Sequence, residues 1–585
     1  MSAQTHSTSL PPPPPTSRGV DRLRGQIAHY RSSPNPVWIR ELRQSARLLR
    51  TPFILMTVTA LTVLLLAAIG GIMAGSKNPA STGMALHHTF FSIAFFVVTL
   101  AGPTVAANSI ASEREGRTWE ALQLTGLPPG VIARGKFLAA YTNIAMYIVM
   151  LAPAGALPFQ FGGVTATEVV LAFVWLFLIG GLSVAFGLAL SSKMDSLRVA
   201  LVVTLLLAFA LSPTVYVCGL LLSIPIHAVW PAVPDGPPVW LPTAYERADF
   251  GWEYLGYLVV APLASVLLPA WFLYEVTIAN LTQVSDDRST GVRRWFVVTT
   301  ALLTLGFAAL SLAPGGSPAL MAAVSASLFF SYLVFCAFTF AGEPIGPSRR
   351  VLNRWERARA SRFTRMLGPG VMRASLVLLF GGLVGFLAIT AAGLLGVQLA
   401  GGTTRAQESA SVVVVGAYGA GFFVFTAGFT AWMRARANST STARVLMLVV
   451  LFFAAAGPWI VAAIAGAASR SGDDALVVAS PSPFYALVAA SQLRKSWAAP
   501  GGQTVAMVAS FACAATWAFI GLALLGRAAL RCSQIIRDHA AALSASDRML
   551  ADEDARAAQP AETQTRETTE TTQTTQTAPA DAQPS

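Results

Sequence analysis

Between Ser109 and Lys136 the chain reads SIASEREGRTWEALQLTGLPPGVIARGK, with three carboxylates (Glu113, Glu115, Glu120) and four basic side chains (Arg114, Arg117, Arg134, Lys136). From Ser112 to Leu124 only Gly116 weakens a helix, at a cost of about 1 kcal/mol. Ser112 is placed to cap it, and Glu113 and Glu115 then fall in its first turn, where the helix dipole favours negative charge. Glu113 and Arg117 stand at i, i+4, and Glu120 lies two turns on, near the same face. Trp119, Leu122 and the aliphatic stem of Arg114 line another face. Such a short helix offers apolar contact on one side and directed charge on the other, which suits a cleft in a soluble partner. GVIARGKF, from Gly130 to Phe137, has the spacing of a phosphate-cradling G-x4-G-K-[ST] loop, but Phe137 carries no hydroxyl to hold magnesium. The expectation is that the chain does not hydrolyse ATP itself, and is not an enzyme.

The elements that must position these residues are apolar. Of 585 residues, 54% are hydrophobic and 12% charged, about half the charge density of a soluble domain. Apolar runs of 20 or more residues recur from Pro52 to Leu530, each long enough to cross a hydrocarbon core of about 30 Å. They read as twelve spans, roughly 52–74, 88–110, 137–159, 168–190, 199–224, 253–278, 295–313, 318–340, 374–397, 410–431, 445–468 and 503–526. The expected fold is an all-α polytopic membrane protein of about twelve transmembrane helices. With the N-terminus cytoplasmic, the inside loops hold 20 Lys and Arg in 96 residues and the outside loops six in 99. That asymmetry obeys the positive-inside rule, puts both tails in the cytoplasm, and accounts for the formal net charge of +12 without a nucleic-acid partner. No export signal with a short apolar core precedes the first run, so that run is expected to act as its own insertion signal. The location implied is the inner (plasma) membrane.

Three family patterns bear on the 111–136 loop. EREGRT resembles the D-R-x-G-R-[RK] signature of major facilitator carriers, but 18 residues, Thr118 to Gly135, separate it from the next span. The spans also lack the charged relays such carriers use. A proton-coupled secondary transporter is the alternative reading. EALQLTG resembles the first half of the binding-protein-dependent importer loop, without its second half. The whole stretch is most similar to the cytoplasmic coupling region of type-two ABC exporter permeases, which reads roughly E-R-E-x-x-T-x-E-x-L-x-x-T and closes in G-K before the third span. The matching residues are Glu113, Arg114, Glu115, Thr118, Glu120, Leu122, Thr125 and Gly135-Lys136, with Arg117 among them and Gly126 where many relatives carry Pro. NPVWIRELRQ, before the first span, resembles the family's lead-in helix, and the likeness covers residues 35–290. It implies a permease subunit that couples hydrolysis by a separate cytoplasmic ABC ATPase to export. ATP and magnesium would be held by that partner, with no cofactor in this chain. It also implies pairing with a like or different permease. A non-transport membrane anchor for an assembly is the remaining class.

The chain then divides into a disordered Pro-rich tail (1–34), an amphipathic helix (35–51), a six-span permease domain (52–290), a second six-span domain (291–530) and a largely disordered tail (531–585). Asn35-Pro36 reads as a helix start. Beyond it Trp38, Leu42, Ser45/Ala46 and Leu49 share one face while Arg40, Arg43, Arg47 and Arg50 share another, as in a helix lying among headgroups. The second domain reads as a degenerate copy of the first. RVALVVTLLLAFALSP from Arg198 and RVLMLVVLFFAAAGP from Arg444 each close on proline and lead to LPTAYE and SPSPFYA. The loop 341–373 takes the place of 111–136 but is basic, so it is expected to contact an ATPase weakly or to rest on anionic headgroups. His87 and His88 are neighbours that face different directions, a poor metal site, and read as interfacial. Asp473 and Asp474 read as solvated. The four cysteines suit neither a disulfide nor zinc.

The charge asymmetry makes a direct prediction about topology. Cysteines placed at Ser289 and Ser439 should be shielded from an impermeant thiol reagent added to intact cells, and cysteines at Gly402 and Ser482 should be labelled. Labelling of the first pair reverses the orientation.

Overall fold

The computed structural model describes residues 35–46, 50–73, 79–233, 240–312, 317–437, 439–468, 477–494 and 500–558. The tail 1–34, Arg47, Leu49, Asp473, Asp474 and the Thr-rich stretch beyond Ala558 lie outside the described residues. Every regular element is helical, and no strand occurs among the described residues. Among the described residues eleven helices are long and apolar enough to cross a membrane. The first expected span forms helix Arg50–Met73, whose described apolar part is the shorter Thr59–Ile72. The protein is an all-α polytopic membrane protein.

Contacts divide the chain into two units, Met1–Trp295 and Phe296–Ser585, five residues beyond the boundary expected from sequence. The first unit holds α1 (Pro36–Ala46), α2 (Arg50–Met73), α3 (Pro79–Glu115), α4 (Thr118–Leu124), α5 (Pro129–Gly155), α6 (Leu157–Phe161), α7 (Ala166–Ser191), α8 (Leu197–Val229), α9 (Trp240–Arg247) and α10 (Ala261–Leu281). A π-helical turn, Tyr254–Val260, leads into α10. The unit divide falls inside α11 (Thr290–Ser311). The second unit continues with α12 (Pro318–Phe340), α13 (Arg349–Arg357), α14 (Arg362–Leu367), α15 (Val371–Ala400), α16 (Arg405–Arg436), α17 (Thr440–Ala468), α18 (Tyr485–Arg494) and α19 (Pro500–Ala558). The order of the long helices repeats, two, then three, then one, with short helices after the second and the fifth. α1 and α6 of the first unit have no counterpart among the described residues of the second. LPTAYE lies in α9, SPSPFYA leads into α18, and Pro213 and Pro458 sit inside the matching helices α8 and α17.

In a membrane, helices gain little from leaving lipid for one another, so close packing and buried hydrogen bonds must hold them. In the first unit α3 and α7 lie at the centre, lined by Phe90, Phe91, Val98, Ile144, Ile148, Leu176, Val184 and Leu188. Their backbones touch at small residues: a Cβ on Gly187 would lie 2.6 Å from Pro103 Cα. The start of α7 is sealed by a capping box. Thr165 Oγ1 accepts from the Glu168 N–H, and the Thr165 N–H donates to Glu168 Oε2 (2.9 Å). Glu168 is itself buried and paired with Arg247. In the second unit α16 is the buried centre, against which α12, α15, α18 and α19 pack. Elsewhere large apolar side chains such as Leu64, Leu206 and Phe209 are exposed, as lipid-facing helices require.

Three expectations change. α19 runs unbroken to Ala558, so 531–558 is helical rather than disordered. That segment is rich in Ala and Arg and holds neither Gly nor Pro, which sustains helix without a membrane. His87, read as interfacial, does not face outward but is fully buried against Phe91, and neither ring nitrogen has a partner among the described residues. Ser289 and Ser482 are buried as well. In a background without native cysteines, the accessible labelling positions are therefore Val284 and Ser439, expected to be shielded, and Gly402 and Thr403, expected to be labelled.

The α3–α7 contact is testable. Gly187→Leu should push the two helices apart at a cost of about 1–3 kcal/mol, lowering the thermal aggregation midpoint of the detergent-solubilised protein. Gly306→Leu, where nothing lies within 4 Å of the new Cβ, should leave it unchanged.

Candidate functional site

The charged stretch is two helices, not one. α3 continues through Glu113, Arg114 and Glu115 to its end, Gly116 and Arg117 form a turn, and α4 begins at Thr118. Arg117 takes a left-handed conformation (φ 53), which a non-glycine residue adopts only under constraint. Ser112 caps nothing: its hydroxyl donates back to the Asn108 carbonyl inside α3. Glu113 and Arg117 are not paired, and Glu120 lies on a different helix from Glu113. The sequence reading missed the break because a single Gly costs too little to announce one.

Placed at the C-terminal end of α3, Glu113 and Glu115 face the negative pole of the helix dipole. Partners from other elements offset this, and each charge of the Glu-Arg-Glu run ties α3 to a different neighbour. Glu113 pairs with Arg40 of α1 and with Lys136 of α5, whose Nζ lies 2.9 Å from Glu113 Oε2. Arg114 reaches Asp195 (3.2 Å), in the turn between α7 and α8, and lies 5.7 Å over the Trp119 ring of α4. Glu115 accepts the backbone N–H of Leu197 (2.7 Å) at the start of α8. The carboxylate thus sits at a helix N-terminus after all, on another helix, where it satisfies an otherwise unpaired donor.

Lys136 is at the centre. Its side chain is fully buried, and its ammonium donates to the Ser109 carbonyl (2.6 Å) and to Glu41 Oε1 (3.3 Å) as well as facing Glu113. Isolated, such a charge is expensive to bury; with two carboxylates and a carbonyl around it, it is compensated. α1 is therefore docked rather than lying free among headgroups. Asn35 caps it, its Oδ1 accepting from the Val37 N–H (3.0 Å), while its Nδ2 donates to the Val131 carbonyl (2.8 Å). Val37 is buried and Trp38 Nε1 donates to Thr142 Oγ1 (3.3 Å). Gly135 permits this approach, because a Cβ there would sit 2.7 Å from both Asn35 Oδ1 and Val37 Cβ. Arg40 turns to Glu41 and Glu113. Burial lowers its pKa, but these carboxylates outweigh that and the net shift is upward.

α4 hangs from this assembly. Leu122 is buried in the core of the unit with Trp119 packed beside it. The Thr118 hydroxyl donates to the Glu113 carbonyl (3.2 Å), and the Thr125 hydroxyl to the Leu122 carbonyl (2.6 Å). Gly126 then takes φ +70, the left-handed turn that ends many helices. Arg117, Thr118, Glu120, Gln123 and Leu124 are exposed, Leu124 at 87%. Of the eight residues expected to form one site, Glu113, Arg114, Glu115 and Leu122 hold the scaffold and the rest edge an open surface. Glu41 was the missed member, its signal one acid in a basic helix. Lys136 was matched as part of the Gly-Lys motif, but its pairing with Glu41 and Glu113 was not legible.

Residues Gly130 to Phe137 lie within α5, so their phosphate-loop spacing corresponds to no loop. Among the described residues no cluster of His, Cys, Asp or Glu has metal-binding geometry. These features define a multi-pass helical membrane protein with a built charged cluster at one end of its first unit. No known family model and no curated protein matches the chain.

Removing one partner of a buried ion pair strands the other. Lys136→Met should cost about 3–5 kcal/mol and deplete folded protein in the membrane. In a double-mutant cycle with Glu113→Gln, stability of the purified protein should deviate from additivity by more than about 1 kcal/mol. Additive effects would mean that the two side chains are not coupled.

Proposed function

We propose that the chain is the membrane permease subunit of an ATP-driven ABC exporter. A separate cytoplasmic ATPase holds ATP and magnesium, and both tails of the permease face that side of the inner membrane. The observation that carries this reading is convergence. NPVWIREL, Glu-Arg-Glu and Gly-Lys, the three motifs of the family resemblance, lie far apart in sequence and form one packed cluster from which α4 projects. Force on α4 would pass through Trp119 and Leu122 into the end of α3, and through Glu113, Arg114 and Glu115 into α1, α5 and α8. A helix so tethered moves with its spans, as ATP-driven switching of access requires.

The contacting surface is then Glu120, Gln123 and Leu124 rather than Glu113 and Glu115. Charge reversal at the latter two, the obvious test from sequence, would break the scaffold itself. Glu120→Lys with Leu124→Asp spares it. In mild detergent the wild-type chain should co-elute with an ATPase whose turnover it stimulates. The double variant should reach normal protein levels yet lose about tenfold or more of that stimulation, as removal of two contact anchors would. Full stimulation by the double variant, or a wild-type chain with no ATPase attached, defeats the proposal.

A further inference from the structure

In the second unit the place of α4 is taken by α13 and α14. Ser348 caps the first, its Oγ accepting from the Val351 N–H (3.3 Å), and Ser361 caps the second, accepting from the Thr364 N–H (3.2 Å). Arg359, at φ 45, makes the turn between them. The inner face is closed. Val351, Trp355 and Leu367 are buried, and the Trp355 ring lies 4.9 Å from the Arg373 guanidinium carbon. Trp355 is therefore unsuited to report a surface contact. The outer face differs. Arg357, Arg359, Arg362 and Arg365 are exposed, and no ion pair joins any of them to a carboxylate among the described residues. Between the arginines of α14 stand Phe363 and Met366, 67% and 42% exposed, three residues apart and so on one face.

We propose that this outer face docks on the anionic phospholipid headgroups of the adjacent leaflet. Phe363 and Met366 reach the acyl boundary while Arg357, Arg359, Arg362 and Arg365 meet phosphates. Two observations select lipid over an acidic protein. Leu367 is only four residues from Val371, where span α15 begins, so the C-terminal end of α14 stays within about 14 Å of the start of that span. Exposed apolar side chains interleaved with arginines at that depth match an interfacial helix. By the loop-charge asymmetry this is the cytoplasmic leaflet, the one whose anionic lipids attract basic segments. The inference is independent of the ATPase reading, because it concerns a surface that α4 does not share.

The test uses the full chain with a photoreactive p-benzoylphenylalanine at position 363, reconstituted in phosphatidylcholine vesicles with and without phosphatidylglycerol. Mass spectrometry of the crosslinked products should show lipid adducts enriched in phosphatidylglycerol at least about threefold over its mole fraction. Added salt should erode that enrichment, and Arg362→Gln with Arg365→Gln should abolish it. Arg537→Gln, an exposed arginine on α19, should leave it intact. Adducts that merely follow lipid mole fraction, an absence of lipid adducts, or crosslinks to a co-purifying protein would each overturn the proposal.

Discussion

A single buried ammonium organises the first unit. Lys136 sits at the head of a membrane-crossing helix with no exposed surface, and its charge persists there because Glu113, Glu41 and the Ser109 carbonyl surround it. Desolvating an ion costs several kcal/mol, and attraction in a low-dielectric interior repays that only when geometry is good and further hydrogen bonds complete the shell. The partners come from two other helices, Glu41 from α1 and both Glu113 and Ser109 from α3, so the shell cannot form unless α1, α3 and α5 are all in place. The electrostatic requirement thus acts as a geometric one. Gly135, beside the lysine, removes the Cβ that would hold α1 away, and the Asn35 cap fixes where α1 begins.

The same cluster explains how a seven-residue helix can be held firmly outside the membrane. α4 is too short to be stable alone, since helices below about 12 residues are marginal in water. It persists because Leu122 and Trp119 are packed, Arg114 covers the Trp119 ring, and Thr118 and Thr125 satisfy carbonyls that the helix ends leave open. Its other face has no partner among the described residues, and the exposure of Leu124 is costly unless something covers it.

The second unit repeats the order of elements but solves the equivalent problem differently. The last carbonyls of α12 receive Arg444, which donates to Phe338 and Thr339, and Arg434 donates to the Glu343 carbonyl. Cations at a helix C-terminus are favourable, so no compensating network of carboxylates is needed. The loop that follows keeps Arg357, Arg359, Arg362 and Arg365 for its outer face. Shared topology with divergent charge gives two surfaces of different chemistry at corresponding places.

Hydrophobic runs of span length, their spacing and the bias of basic loop residues were enough to establish an all-α polytopic membrane protein, because a bilayer leaves no other way to satisfy a backbone in apolar segments. The Asn-Pro start of α1 and the order of the long helices were legible for similar reasons, being local signals. The Glu-Arg-Glu run was legible as a site but not as a geometry. Local propensity favours one helix from Ser112 to Leu124, whereas the partners that break it at Gly116 are Arg40, Lys136, Asp195 and Leu197, up to 82 residues away. Nor could α1 be told from a free interfacial helix, since its amphipathic pattern suits either, and only the approach of Gly135 and Lys136 decides. The burial of His87 and the outward face of α4 likewise depend on which helices become neighbours. Periodicity and charge determine what each segment is; contacts between segments distant in sequence decide which charges are scaffold and which are surface.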